Sequence, residues 1–383
     1  MSATLHSVAA AAGVSTSTAS RALSGHPAVL PSTRARVEAA AAALQYQPNR
    51  MASALRTRRT GLLGLVVNNL RTATFHTIAE TLQGWAAEED YQVLVCTTGG
   101  DPAREAAFLQ TVRQHSFDGV VVAGSGANTD LVNTLVEEGR AVVTMNREVP
   151  GSLAPSVMSA YETAARVATE HLLGLGHTRV AAIEGPPDIT SGRLHHAGYL
   201  AAMAAAGVPV QGELVHRGPF TPDFGRDAAA TLLALPEPPT ALLVSNHEAS
   251  FGALPTVGDS GLTIPHQMSV VCTEDEPFYR WWSPGITTVD NRAEVMARRA
   301  ADLLLAQLTG ADSGYLGRSE LVQPVLVERG STAPPHWPPP HVTGRRARDG
   351  GQDGAGGRQV GRAPRPAPRP SSACAPTTEG TPT

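Results

Sequence analysis

Thr16, Ser17, Ser20 and Arg21 fall within one short run, Val14-Ser15-Thr16-Ser17-Thr18-Ala19-Ser20-Arg21-Ala22-Leu23. Small hydroxyls and a guanidinium are the groups that hydrogen-bond to base edges in a DNA groove, the guanidinium forking onto a guanine. They act together only if a helix holds them on one face. The other residues of the run predict that helix: Val14, Thr18 and Ala22 recur at i, i+4 and i+8, and Ala19 and Leu23 widen the inward stripe. Gly13 supplies a tight turn, Ser15 stands as the N-cap, and a second helical run, Leu5 to Ala12, lies upstream. The pair reads as a helix-turn-helix. An alanine-rich helical hairpin with a polar surface shares the same local pattern, so the rest of the chain must separate the two.

Charge separates them in part. The chain has 383 residues and a net charge of −4, with thirty Arg and no Lys. Residues 1–60 carry seven Arg against the single acid Glu38, a balance of +6, whereas residues 61–333 stand at −14 and residues 334–383 at +4. A basic head on an acidic body implies a polyanionic partner at the head alone. Cys96, Cys272 and Cys374 are too few and too scattered for a disulfide framework or a zinc site. The thirteen His are scattered as well, and His195-His196 reads as helix surface rather than metal ligation. No metal and no cofactor are expected. No apolar run approaches the ~18 residues of a membrane span and no export signal opens the chain, so the expected location is cytoplasmic, with no membrane partner.

Several elements must carry this head. Ser32 precedes a third helix, Thr33 to Leu44, with Leu30, Val37, Ala41 and Leu44 as its apolar stripe. Asn49 can then cap a short helix running to Arg56, with Met51, Ala52 and Leu55 on one side. That piece has too little apolar surface to stand alone and should order only against a partner copy or DNA. From Gly61 the pattern becomes buried strands, Leu62–Val67, Gln92–Cys96, Gly119–Ala123 and Ala141–Thr144, alternating with helices near 76–89, 103–115 and 129–138. A second series follows, with helices at 160–175, 190–206, 224–234 and 247–254 and strands at Val180–Ile183, Leu214–His216, Ala241–Val244 and Ser269–Val271. This predicts an α/β body of two doubly wound parallel units with a cleft between them. A helix at 293–308 and strands within 315–328 return to complete both sheets. Beyond Pro334 the Pro-, Gly- and Arg-rich tail has almost nothing apolar to bury and is expected to be disordered.

With these residues assembled, the chain resembles the LacI/GalR family of bacterial transcription regulators. Val8-Ala9 through Ala12-Gly13-Val14-Ser15, then Thr18-Ala19-Ser20-Arg21-Ala22-Leu23-Ser24-Gly25, follow that family's V-A-x-x-A-G-V-S-x-x-T-V-S-R-x-L-N-G signature, with Ala19 for Val and Ser24 for Asn. Tyr46-x-Pro48-Asn49-x-x-Ala52-x-x-Leu55-Arg56 is similar to its hinge pattern, and the likeness continues through Asn146-Arg147, Glu170-His171-Leu172, Gly185-Pro186-Pro187 and Thr287-Thr288-Val289. It covers about residues 4 to 333.

The resemblance implies a homodimer on a pseudo-palindromic double-stranded operator, with Thr16, Ser17, Ser20 and Arg21 at base edges in the major groove. It implies that paired hinge helices enter the minor groove, where Leu55 wedges between base pairs with Asn49 and Ala52 beside it. Arg34, Arg36, Arg50 and Arg56 are the phosphate candidates. For the body it implies a periplasmic-binding-protein-like fold with a small-molecule effector in the cleft. Residues carried over by position are Phe75, Asn146, Arg147, Arg193, Phe220, Asn246, Glu274 and Asp275, a set that suits a polyol: a sugar or sugar derivative, with a nucleoside or purine as the alternative. This chain departs from the family in having Cys272-Thr273-Glu274-Asp275 for Gly-Phe-Asp-Asp and Asn246-His247 for Asn-Asp. The aromatic run Phe278-Tyr279-Arg280-Trp281-Trp282 is expected at an interface or in the core.

The expected domains are 1–47 for DNA binding, 48–60 as hinge, 61–333 for effector binding and dimerisation, and 334–383 as tail. The expected function is a sequence-specific repressor switched by its effector, and not an enzyme. A solute-binding protein for sugar uptake would share the body but not the basic head. An enzyme of the doubly wound class would need a phosphate loop or nucleophile elbow, and Gly124-Ser125-Gly126 lacks the context for either.

Overall fold

The computed structural model describes residues 3–46, 59–311, 314 and 316–335. The expected hinge, including Asn49, Arg50, Ala52, Leu55 and Arg56, and the expected tail beyond residue 335 lie outside the described residues.

Residues 3–46 form three helices, α1 (Leu5–Ala12), α2 (Thr16–Leu23) and α3 (Pro31–Ala43). The first two have the predicted bounds because their ends are strongly specified. Thr4 and Ser7 form a reciprocal capping box on α1, and Gly13 closes it with φ 63°, a left-handed conformation that suits glycine. The third helix starts two residues earlier than expected. Its N-cap is Leu30, with no side-chain cap, and Pro31 opens the first turn, where its missing N–H is unneeded. Ser32 is therefore inside the helix, and Leu30 is 69% exposed rather than part of the stripe. Val8, Ala9, Ala12, Ala19, Ala22, Val29, Val37 and Ala41 make a core of mostly small side chains.

The body is two lobes, each a six-stranded sheet. In the N lobe the strands are β1 (Leu62–Val67), β2 (Gln92–Thr97), β3 (Gly119–Ala123), β4 (Ala141–Met145), β5 (Ser156–Ser159) and β11 (Ser319–Val322), in the order β11-β5-β4-β3-β1-β2 and all parallel. Around them lie α4 (Ala73–Glu88), α5 (Pro102–Gln114), α6 (Thr129–Glu137) and the returning α11 (Ala293–Leu308). In the C lobe the strands are β6 (Val180–Glu184), β7 (Val215–Arg217), β8 (Ala241–Val244), β9 (Ser269–Thr273), β10 (Thr287–Asp290) and β12 (Val325–Val327), in the order β12-β10-β9-β8-β6-β7. Only β12 runs antiparallel there. The C-lobe helices are α7 (Tyr161–Gly174), α8 (Thr190–Ala205), α9 (Pro222–Leu233) and α10 (His247–Asp259). Each sheet separates two apolar cores.

Departures from the expected elements have local causes. β2 is an edge strand whose burial alternates, not a buried one. Leu214 belongs to a short 3-10 turn, so the strand there begins at Val215. α10 runs five residues past its expected end at 254: Pro255 removes one N–H, but Val257 packs into the lobe core and holds the last turn. The chain crosses between lobes as expected, with α11 and β11 returning to the N lobe and β12 to the C lobe. No helix of the described residues is long and apolar enough to cross a membrane.

Candidate functional site

The outward face of α2 is built from its N-cap upward. The Ser15 hydroxyl accepts the Thr18 N–H at 3.1 Å and bonds the hydroxyls of Ser17 at 2.8 Å and Thr18 at 2.9 Å. Ala19 and Ala22 turn inward. That leaves Thr16, Ser17 and Arg21 exposed and Ser20 half-buried. The Arg21 guanidinium has no hydrogen bond or ion pair among the described residues. The Arg34 guanidinium donates to the His26 carbonyl at 2.9 Å and its Nε is buried, which ties the α2–α3 turn. Arg36 remains exposed on α3.

The second constellation lies on the seam between the lobes. Loops leaving the C-terminal ends of β4 in one lobe and of β8 and β9 in the other supply most of it. Asn146, in the left-handed region at φ 65°, accepts the Tyr161 hydroxyl through its backbone carbonyl at 3.1 Å and also touches it through Oδ1. Arg147 beside it is half-buried and has no ion pair among the described residues, and burial works against its charge. Arg193, near the start of α8, meets Glu148 of the N lobe at 2.5 Å. Further contacts join the lobes: the Ala73 N–H donates to Glu276 at 2.8 Å, the Glu148 N–H donates to the Thr190 hydroxyl at 3.3 Å, and Arg71 lies 3.6 Å from Glu248. The seam is thus held by polar contacts from both sides.

The other expected effector residues have the following surroundings. Phe75 is packed in the N-lobe core. Phe220 is half-buried against the backbone of Gly185, where a Cβ would meet its ring at 2.2 Å. Asn246 is the N-cap of α10, its Oδ1 accepting the Ala249 N–H at 3.1 Å. Asp275 is fully engaged, accepting from Arg329, Arg280 and Thr288 at 2.7–3.0 Å. Burial opposes its charge, but these donors outweigh it and hold the carboxyl below its usual range. Glu274, at φ 66°, accepts a hydrogen bond from His247 Nδ1. Burial disfavours both charges, yet each stabilises the other, so His247 is pushed up to about 9 and Glu274 down. The two departures from the family pattern therefore contact each other.

Four groups near this pair were not among the expected effector residues. Tyr161 and Glu276 carried no motif. His195 is buried, not on a helix surface, because Gly192 and Gly198 on the same side of α8 bring that face against its neighbours. Its ring stands edge-on to Tyr161 at 5.2 Å, both its nitrogens lack hydrogen-bond partners among the described residues, and burial drives its pKa down to about 4. The Thr273 hydroxyl is buried without a partner as well. In the aromatic run, Tyr279 is fully buried, Phe278 and Trp282 pack on the C-lobe core and Trp281 is 82% exposed. The loop at Gly124-Ser125-Gly126 is filled by the protein's own Glu105 carboxylate, which accepts from Ser125 and Asn128.

Known proteins share this arrangement. Residues 4–49 match the family described as bacterial regulatory proteins, lacI family, and residues 169–332 match a periplasmic binding protein-like domain. The HTH-type transcriptional repressor CytR of Escherichia coli (strain K12) is 31% identical over 333 residues, 86% of this chain and 96% of that protein. A lac repressor dimer bound to operator and the anti-inducer ONPF superposes with a TM-score of 0.76 at 26% identity, covering 87% of this chain and 100% of that one. A complex of the transcriptional regulator CelR with cellobiose gives 0.65 at 29% identity, covering 86% and 99%. A three-helix head that presents exposed hydroxyls and a guanidinium, followed by two doubly wound lobes and matched over nearly the whole length of such a relative, places this chain in the lacI family of bacterial regulatory proteins.

Proposed function

We propose that the chain is a cytoplasmic, homodimeric transcriptional repressor that reads a pseudo-palindromic operator through α2 and is switched by a small polyol bound between its lobes. The carrying observation is the face of α2, where Thr16, Ser17 and Arg21 are exposed and the Arg21 guanidinium makes no hydrogen bond or ion pair among the described residues. Domain limits of 1–47, 48–60, 61–333 and 334–383 go with this reading. So does a dimer face that uses the exposed apolar residues Leu94 on edge strand β2 and Phe251 and Trp281 of the C lobe.

Asn146, Arg147, Asn246 and Glu274 are the effector contacts this reading favours, with Arg193 as a residue that either meets the ligand or keeps its Glu148 partner. A sugar or sugar derivative suits amide, guanidinium and carboxylate groups on one ligand. The relatives' cellobiose and operator complexes support the same assignment. The protein binds this ligand without turning it over. An effector shifts operator affinity only if it prefers one lobe arrangement over the other. The test is operator binding by fluorescence anisotropy across a panel of sugars, sugar acids and nucleosides, with ligand turnover followed in parallel. One ligand should shift the operator midpoint and emerge unchanged. Turnover of a panel member, or operator binding indifferent to a ligand that demonstrably binds the body, would contradict the proposal.

A further inference from the structure

His247, Glu274 and Glu276 converge on the seam. One ring nitrogen of His247 and one oxygen of each carboxylate all lie within 4.8 Å of one another. The topology brings them there: β8 and β9 are adjacent and parallel, His247 opens the helix after β8, and the two glutamates follow β9. His247 and Glu276 are each 5% exposed and Glu274 is half-buried.

The charges in this cluster do not balance. The two arginines that reach the neighbouring carboxylate, Arg280 and Arg329, are both committed to Asp275. Glu276 has no ion pair among the described residues, and its hydrogen bond comes from the Ala73 N–H of the N lobe at 2.8 Å. A protonated His247 offsets one carboxylate only, so the second is neutralised either by a proton or by a cation that bridges the cluster. The neighbourhood is also rich in unused donor atoms. His247 Nε2, both ring nitrogens of His195 and the Thr273 hydroxyl are buried without partners, and His195 lies in the field of Glu274. Imidazole with two carboxylates is a ligand set for zinc and its neighbours in the first transition row.

We propose that His247, Glu274 and Glu276 bind one divalent transition-metal cation of the zinc class at the seam between the lobes. The cation replaces the proton shared by His247 and Glu274, which is released on binding, and its charge compensates both carboxylates. Because Glu276 also accepts from the first residue of α4, occupancy is tied to the approach of the two lobes. This goes beyond the regulatory reading and needs neither operator nor effector.

The test uses the full chain, stripped with a chelator and titrated with Co2+ as a spectroscopic probe, then back-titrated with Zn2+. Visible absorption bands should saturate near roughly one equivalent and be displaced by Zn2+. His247→Ala and Glu276→Gln should each weaken binding about 10-fold or more, whereas His196→Ala should not. Glu276→Gln is nearly isosteric, and circular dichroism and melting certify that each variant is folded. No saturable binding by the wild type, or unchanged binding in folded His247→Ala and Glu276→Gln proteins, overturns the site. Operator binding by the stripped protein, measured separately, reports on the regulatory reading alone.

Discussion

Arg21 and Arg34 belong to the same small bundle, yet only Arg21 is free to reach outward, because Arg34 donates to the His26 carbonyl. Arg21→Ala should therefore cut the preference for operator over random DNA by about 1–3 kcal/mol, read by competition binding. Arg34→Ala should lower the melting temperature of the head, with no change in that preference beyond the loss of folded protein. Sequence types alone do not separate the two arginines. The same blindness affects Asp275, which reads as a ligand contact until the fold brings Arg329 to it from 54 residues away. Glu184 is a further case. Its side chain is fully buried at 2.7 Å from His196, and burial pushes its pKa up to about 7 against a smaller opposing effect of Arg217. As pH rises through the ordinary carboxylate range the unfolded chain ionises first, so stability should fall by about 3–4 kcal/mol before levelling off above neutrality. Glu184→Gln should flatten the difference in melting temperature between pH 5 and pH 8; parallel profiles for the two proteins would refute this assignment.

At the scale of elements, α1 and α2, whose ends carry clear chemical signals, have the expected bounds, whereas the Thr72-capped α4 starts three residues before its expected start. Ser15 both fixes the start of α2 and orients Ser17, so Ser15→Ala should cost about 1 kcal/mol and weaken operator binding, as melting and anisotropy would report. Strands β5 and β10 were not legible as strands. Ser156–Ser159 and Thr287–Asp290 are four residues each and lack an apolar run, and they are extended because neighbouring strands pair with them. Helix contacts that depend on glycine were equally silent. A Cβ on Gly198 would lie 2.0 Å from the Glu162 carbonyl of the facing helix. Gly198→Ala should thus pry α8 from α7 and destabilise the C lobe by about 3 kcal/mol, visible as an early transition in a thermal melt that leaves residues 3–46 able to fold.

At the scale of the molecule, the order of parts was readable because charge and periodicity change together near Gly61, from a basic helical head to an acidic α/β body. The seam was readable only in outline. Asn146, Arg147 and Glu274 are at the seam, Phe75 packs in the N-lobe core, and His195, Glu276 and Thr273 were not among the expected effector residues. Long-range pairing, which no local window contains, decides which polar groups the two lobes bring together. The central claim remains that α2 reads DNA as part of a two-fold assembly. Selection of duplexes from a random library by the full chain tests it most directly. The account predicts enrichment of a pseudo-palindrome whose half-site preference is lost in Arg21→Ala. Recovery of no motif, or of a motif that Arg21→Ala selects equally well, would contradict it.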